Sequence, residues 1–233
     1  MSHLEARSAL RCVPTPERLR RKAAAARRRL AIVESAKRLF EERGWSGTSL
    51  RAVAADAAVS QKTVEAHFGT KAALLQAAVD FAIRGDLDST PMPQREAVRA
   101  MEGAETAAEM LARHAAHLRS VNERSAGIAR AVEEAATRHP TVHELWQRMN
   151  RNRSFGVAWA ARTLRSKPGL RPGLSERDVE TILWVALDWG TYRTLATHAG
   201  LDGDGYEEWL RTYYAATLLG GRPRKLLAPS DRT

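Results

Sequence analysis

The side chains best suited to chemistry lie close together, at Gln61, Lys62, Thr63 and Glu65 in the stretch SLRAVAADAAVSQKTVEAHFGTKAALL, residues 49–75. Amide, ammonium and hydroxyl groups at successive positions offer hydrogen bonds to the edges of nucleobases, the groups by which base pairs are told apart in a groove. Glu65 follows Gln61 by one helical turn and would share its face. An anion there either accepts a hydrogen bond from a cytosine amino group, is repelled by phosphate, or turns aside to pair with Lys62 or Arg51. The other candidate carboxylates, Glu133, Glu134, Asp178 and Asp188, come with no nucleophile elbow, phosphate loop, dinucleotide fingerprint or metal-ligand spacing, so an enzyme is not expected. His114 and His117 read as a solvated pair rather than metal ligands, and neither a metal nor a cofactor is implied.

Presenting such a cluster takes a short helix with a free outer face, and the apolar spacing predicts one. Ile32, Val33, Ala36, Leu39 and Phe40 fall on one stripe of helical period, predicting a first helix from about Arg20 to Arg43, stopped by Gly44. Thr48 is the expected N-cap of a second helix with Leu50, Val53, Ala54 and Ala57 inward. Ser60 caps a third, Ser60–His67, with Val64 and Phe68 inward, and Thr70 caps a fourth carrying Leu74, Leu75, Ala78, Val79 and Ile83. Two short helices joined by a turn and braced on either side make a helix-turn-helix, whose second helix fits a DNA major groove about 12 Å wide. The positive N-terminus of that helix also suits phosphate.

Charge points the same way. The net charge is +10, and nine Lys and Arg residues, Arg27 and Arg28 among them, fall in residues 1–29 against two Glu, an asymmetry that suggests a polyanionic partner. Residues 1–19, with Pro14 and Pro16, are expected to form a disordered basic arm. The single cysteine, Cys12, allows no intrachain disulfide, which fits a reducing cytoplasm. No apolar run approaches the roughly 18 residues of a membrane span, and the N-terminus lacks the apolar core of a signal peptide.

The expected fold class is all-α. Gly85, Pro91 and Pro93 in GDLDSTPMPQ mark a linker that separates a helix-turn-helix domain, residues 20–84, from a second helical domain, residues 85–221, with a tail over 222–233. The second domain reads as helices near 94–120, 122–138, 140–165, 175–199 and 205–219, with Pro140 in a first turn, Ser175 and Asp178 as a capping box, and Gly200 as a stop.

The ordered series Ile32, Ala36, Leu39, Phe40, Gly44, Thr48, Ala54, Val59, Ser60, Thr63, His67, Phe68, Lys71, Leu74 and Leu75, matched without gaps, resembles the tetracycline-repressor-like (TetR) family of bacterial transcriptional regulators over about residues 28–83. The resemblance implies an all-helical homodimer with an N-terminal DNA-binding domain and a larger ligand-binding, dimerising C-terminal domain. Its usual mode is repression at a near-palindromic operator, with release by a small molecule. It implies that Thr48 and Ser49 touch backbone phosphates, that Gln61, Lys62 and Thr63 face bases or nearby phosphates, and that His67 and Lys71 grip phosphate. Two positions depart from the family pattern: Ala58 stands where glycine is usual in the turn, at a cost of about 1 kcal/mol if φ is positive there, and Glu65 stands where tyrosine is usual.

A pocket of the family type would be lined from Met110, His114, His117, Arg130, Trp146, Met149, Phe155, Trp159, Trp184, Asp188 and Tyr192, an apolar set with a few polar groups. Val179, Ile182, Ala186 and Trp189, with Trp209, Tyr213 and Ala216 on the last helix, would form the dimer seam. Core packing is the competing reading for each of these side chains. Dimerisation also follows from the short recognition helix, which alone reads too few base pairs for a useful specificity ratio. The alternative is a sequence-nonspecific nucleic-acid or protein-interaction module, for which the basic segment alone would suffice.

Overall fold

The computed structural model describes residues 15–220, and among them the regular structure is helical. The expectations for residues 1–14 and for the tail beyond Gly220 lie outside the described residues. Helix α1 (Pro16–Gly47) begins four residues ahead of the expected arm boundary, because Thr15 accepts a hydrogen bond from the Arg18 N–H and Pro16 occupies the first turn, where its missing N–H costs nothing. The predicted stop is a kink: Gly44 has φ 65°, and one further turn follows it. Helices α2 (Leu50–Asp56), α3 (Gln61–Phe68) and α4 (Lys71–Arg84) then appear, capped by Ser49, Ser60 and Thr70. The first of these caps corrects the expectation of Thr48.

Past the linker, a short 3-10 turn (Met92–Gln94) leads into α5 (Glu96–Glu102), α6 (Ala107–Ala136), α7 (Pro140–Arg165), α8 (Glu176–Ala186), α9 (Trp189–Thr197) and α10 (Gly203–Thr217). Two boundaries differ from the sequence reading. The break expected at Val121–Asn122 is absent, and α6 runs through it, since the Asn122 amide is buried and donates to the Tyr206 hydroxyl at 2.8 Å. The break falls instead at Gly103, followed by the cap Thr106. The single helix expected over 175–199 is two, because the Asp188 carboxylate accepts the Thr191 N–H at 2.9 Å and starts α9 afresh. Pro140 and the Ser175–Asp178 capping box stand where they were expected.

Two apolar cores result, and their division does not follow the linker. The first gathers Ile32, Phe40, Val53, Val64, Leu74 and Val79 of α1–α4 together with Ile128 and Val132 of α6, Leu145 and Met149 of α7, and Trp189. The second joins Met101 and Met110 to Leu164, Val179, Leu183, Tyr206 and Leu210. The linker is tied down as well: the Arg95 guanidinium makes a two-pronged pair with Asp86, at 2.9 and 3.0 Å, and holds that carboxyl down to about 2.

Candidate nucleic-acid interface

Helix α3 is held from beneath by Val64 and half-buried Phe68, and its first turn is closed by the Ser60 hydroxyl, which accepts the Thr63 N–H at 3.1 Å. The turn before it brings Ala58 to φ 52°, the sole non-glycine residue with positive φ among the described residues. The expected strain of about 1 kcal/mol is therefore present at that position. From the far side, the Asp56 carboxylate at the end of α2 is gripped by Arg38 and by the Ser35 hydroxyl, both on α1, and these two bonds hold it below the usual carboxylate range. Polar pairs thus fix α2 on α1, and Val64 seats α3 in the apolar core that these helices share.

Gln61, Lys62 and Glu65 lie exposed on the outer face of α3, and Thr63 is half-buried with its hydroxyl 2.8 Å from Ser60 Oγ. Glu65 Oε1 accepts from the Gln61 amide at 2.8 Å, so its partner is neither Lys62 nor Arg51. Ser49 and Arg51 are exposed at the start of α2. Thr48 is a correction: it is 2 % exposed, and its hydroxyl donates inward to the carbonyls of Leu39 and Gly44, leaving no side chain free for a phosphate. Lys71 is also turned inward, its ammonium on the Trp45 carbonyl and 4.2 Å from that ring, and burial pulls its pKa down. His67 is half-exposed beside Phe68.

Arg27 and Arg28 lie on the N-terminal stretch of α1, where residues 15–29 are exposed apart from Ala24. Arg29 ends this stretch with its guanidinium 4.9 Å over the Phe68 ring, so the basic stretch leaves the body of the domain beside the C-terminal end of α3. Arg29 and His67 line an open depression of about 340 Å³ with Asp80 and Arg84.

The residues expected around a ligand are not gathered into one cavity. Met110 and His114 are buried in the second core, where His114 Nδ1 lies 2.8 Å from the Tyr214 hydroxyl and burial lowers the imidazole to about 3. His117 is half-buried and is likewise pushed down by burial. Trp146 and Met149 pack in the first core, Arg130 is exposed and within reach of Glu134, and Phe155 is 73 % exposed. The Trp159 indole donates to Glu102, and Tyr192 meets Tyr206 edge-on at 4.8 Å. Trp184 and Asp188 do come together, around Arg153.

The expected dimer seam divides in the same way. Val179, Ala186 and Trp189 are buried inside the subunit and cannot meet a partner. Ile182, Trp209, Tyr213 and Ala216 keep exposed surface, with Trp209 stacked on Tyr213 at 5.2 Å and the Tyr213 hydroxyl donating to the Ile182 carbonyl. Val185, which the sequence reading passed over, is 41 % exposed on α8.

The contacts of three arginines escaped the sequence reading because their partners are remote in the chain. Arg29 stacks on α3, and Arg153 bridges α7 to the α8–α9 break. Arg124 of α6 donates to the carbonyls of Ala82 and Ile83, closing the end of α4 from the other domain. No helix among the described residues is long and apolar enough to cross a membrane.

Residues 32–78 match the family described as "Bacterial regulatory proteins, tetR family". The whole fold is similar to that of NalD, the secondary repressor of the MexAB-OprM multidrug efflux pump in Pseudomonas aeruginosa, at 21% identity and a TM-score of 0.61, covering 84% of this chain and 98% of that one. A protein from Saccharomonospora viridis assigned as a transcriptional regulator, solved in complex with choline, is similar at 19% identity and a TM-score of 0.61, covering 83% and 98%. A TetR-family member from Streptomyces coelicolor A3 is similar at 21% identity and a TM-score of 0.51, covering 80% and 97%. No curated protein matches this chain in sequence. The segment that matches the tetR family of bacterial regulatory proteins is thus folded as a capped helix-turn-helix with a helical domain built onto it, and the whole chain has the fold of these solved regulators.

Proposed function

We propose that the protein is a ligand-responsive repressor that works in the cytoplasm, grips a near-palindromic operator as a homodimer, and lets go when a small molecule binds the C-terminal domain. The observation that carries this reading is the outer face of α3, where Gln61, Lys62 and Glu65 are exposed at the start of a helix rigidly seated by Val64 and Ser60. In a dimer two such helices enter successive major grooves about 34 Å apart. Ser49, Arg51, Thr63 and His67 flank the reading face, while Arg27 and Arg28 hold phosphate outside it. Glu65, bonded to Gln61, orients the amide that reads the base. Repression is supported by what NalD is described as doing, and a small-molecule effector by the choline complex of the Saccharomonospora protein.

The exposed basic stretch of α1 favours a second reading, a module that binds nucleic acid without regard to sequence. Operator selection from random duplexes, followed by titration at two salt concentrations, separates the two. A repressor keeps a preference of roughly 10³-fold or more for the selected site after salt has weakened the phosphate contribution. Equal affinity for selected and random duplexes at the higher salt would leave the nonspecific reading standing. On a panel of single-base operator variants, Glu65→Gln should weaken binding throughout if the carboxylate orients Gln61, and at one base pair if it reads a cytosine itself.

A further inference from the structure

The break between α8 and α9 places two tryptophans and a carboxylate around one cation. The Arg153 guanidinium lies 4.2 Å over the Trp184 ring and 5.4 Å from that of Trp189, and its Nη1 donates to Asp188 Oδ1 at 3.0 Å. The box is rigid. The Trp189 indole N–H is bonded to Ser125 Oγ at 2.9 Å, Trp146 packs against the same indole at 6.2 Å, and Asp188 is anchored by its second oxygen to the Thr191 N–H. Aromatic faces with an adjacent carboxylate form a receptor for a desolvated cation.

The present occupant fits that receptor incompletely. Arg153 Nε is buried and finds no hydrogen-bond partner, leaving one of its N–H groups desolvated without compensation. A fully methylated ammonium has no N–H to satisfy and would occupy the same aromatic faces without that penalty. Access is from the Asp188 side, where the carboxylate retains 37% of its side-chain exposure while Arg153 retains 11%.

We infer that the Trp184–Trp189–Asp188 box is a binding site for small organic cations of the methylated-ammonium type, which Arg153 fills in the absence of ligand and vacates when one binds. As an effector site it rests on the ligand-responsive reading above. The far wall supplies the connection to DNA: Trp189 is part of the same apolar core as Phe40 of α1 and Leu74 of α4, and its indole hangs from α6, whose Arg124 closes the end of α4. A change of occupant therefore bears directly on the packing that seats the helix-turn-helix.

The test uses the full chain, with tetramethylammonium chloride as the cationic probe, sodium chloride at equal ionic strength, and tert-butanol as an uncharged probe of similar size. Tetramethylammonium should shift tryptophan emission saturably and the two controls should not. Arg153→Ala, which empties the box, should tighten the tetramethylammonium affinity tenfold or more. Trp184→Leu, which leaves the Arg153–Asp188 pair in place, should weaken it at least as much, so the site stays testable even if the first variant folds poorly. An equal response to tert-butanol, or an affinity unmoved by both substitutions, would overturn the assignment and make Arg153 a structural clamp. Operator titrations with and without the probe keep the two readings apart. Binding in the box without any change in operator affinity leaves the cation site standing and counts against its role as the effector site. Release by some uncharged compound, with no binding in the box, counts against the box alone.

Discussion

Around Phe40, Leu74 and Val79 the core is almost wholly apolar: Ser49, Ser60 and Thr70 work at its edge, each closing the helix it precedes, while the buried hydroxyls of Ser35 and Thr48 donate to backbone carbonyls of the same four helices. Around α6 and the last helices the polar groups lie inside. His114 meets Tyr214, Asn122 meets Tyr206, and Ser125 meets Trp189, each buried and each joining α6 to a residue at least 64 positions away. An apolar contact tolerates small sliding, whereas a buried hydrogen bond is satisfied in one register and is costly in any other. The DNA-binding end thus behaves as one rigid body built from local rules. The rest is a set of helices whose mutual placement depends on a few directional pairs, the kind of element a ligand can switch between discrete arrangements.

The strongest way to break this contrast is to cut into the apolar side. Phe40 is fully buried, stacks on Trp45 at 6.1 Å, and lies where α1 meets the rest of the first core. Phe40→Ala should cost about 3–5 kcal/mol, a large fraction of the total stability of a typical domain. Because α6, α7 and Trp189 share that core, the loss should appear as a single shift in the denaturant midpoint of the whole chain. A variant in which the C-terminal helices unfold at the wild-type midpoint while the N-terminal ones melt early would show that the shared core does not couple the two regions.

How much of each region was legible in the sequence follows from the same difference. The caps Ser60 and Thr70, the Ser175–Asp178 box and the stop at Gly85 are written within four residues of the structure they cause, and a reader of the sequence can find them. Asn122 looks like a helix break because its partner, Tyr206, is 84 residues away. Asp188 looks like a polar residue on a long helix because its role as a cap depends on where α9 turns. Val179, Ala186 and Trp189 have the spacing of an apolar stripe, and spacing alone does not say whether a stripe faces its own subunit or another. The outer face of α3 was legible, while Thr48 was not: a hydroxyl beside a helix start reads as a cap or a phosphate contact, and the chain uses it to hold its own kink.

The directional side can be sharpened with pH. His114 is neutral in the folded chain down to about 3, whereas an unfolded histidine titrates near 6.5, so between those values the unfolded state takes up a proton that the folded state refuses. Stability is therefore unaffected by this group above the upper value, falls as pH drops below it at up to about 1.4 kcal/mol per unit, and stops falling near the lower one. His114→Gln keeps a hydrogen-bond partner for Tyr214 and has no proton to gain. Urea midpoints at pH 7 and pH 5 should differ less for the variant than for wild type, with a remainder from His117, whose imidazole is also pushed down by burial. Identical pH dependence in the two proteins would mean that the buried imidazole is not what makes the C-terminal region acid-sensitive.

The smallest effect lies on the rigid side, in the turn that aims α3. Ala58 at φ 52° pays for a left-handed conformation that glycine adopts freely, while glycine in turn would gain freedom in the unfolded chain. Relief of about 1–2 kcal/mol against a loss of about 0.4–1 leaves Ala58→Gly more stable by about 0.8 kcal/mol at the middle of those ranges. For a chain of this length that is a rise in Tm of about 1–4 °C. Since the Val59 N–H already reaches the Ala54 carbonyl at 2.9 Å, the turn should keep its shape, and operator affinity should not change. Lower operator affinity with a higher Tm would instead mean that the stiffness of Ala58 helps to hold α3 at its angle, so that the methyl group at this turn is retained for positioning the reading helix and not for stability.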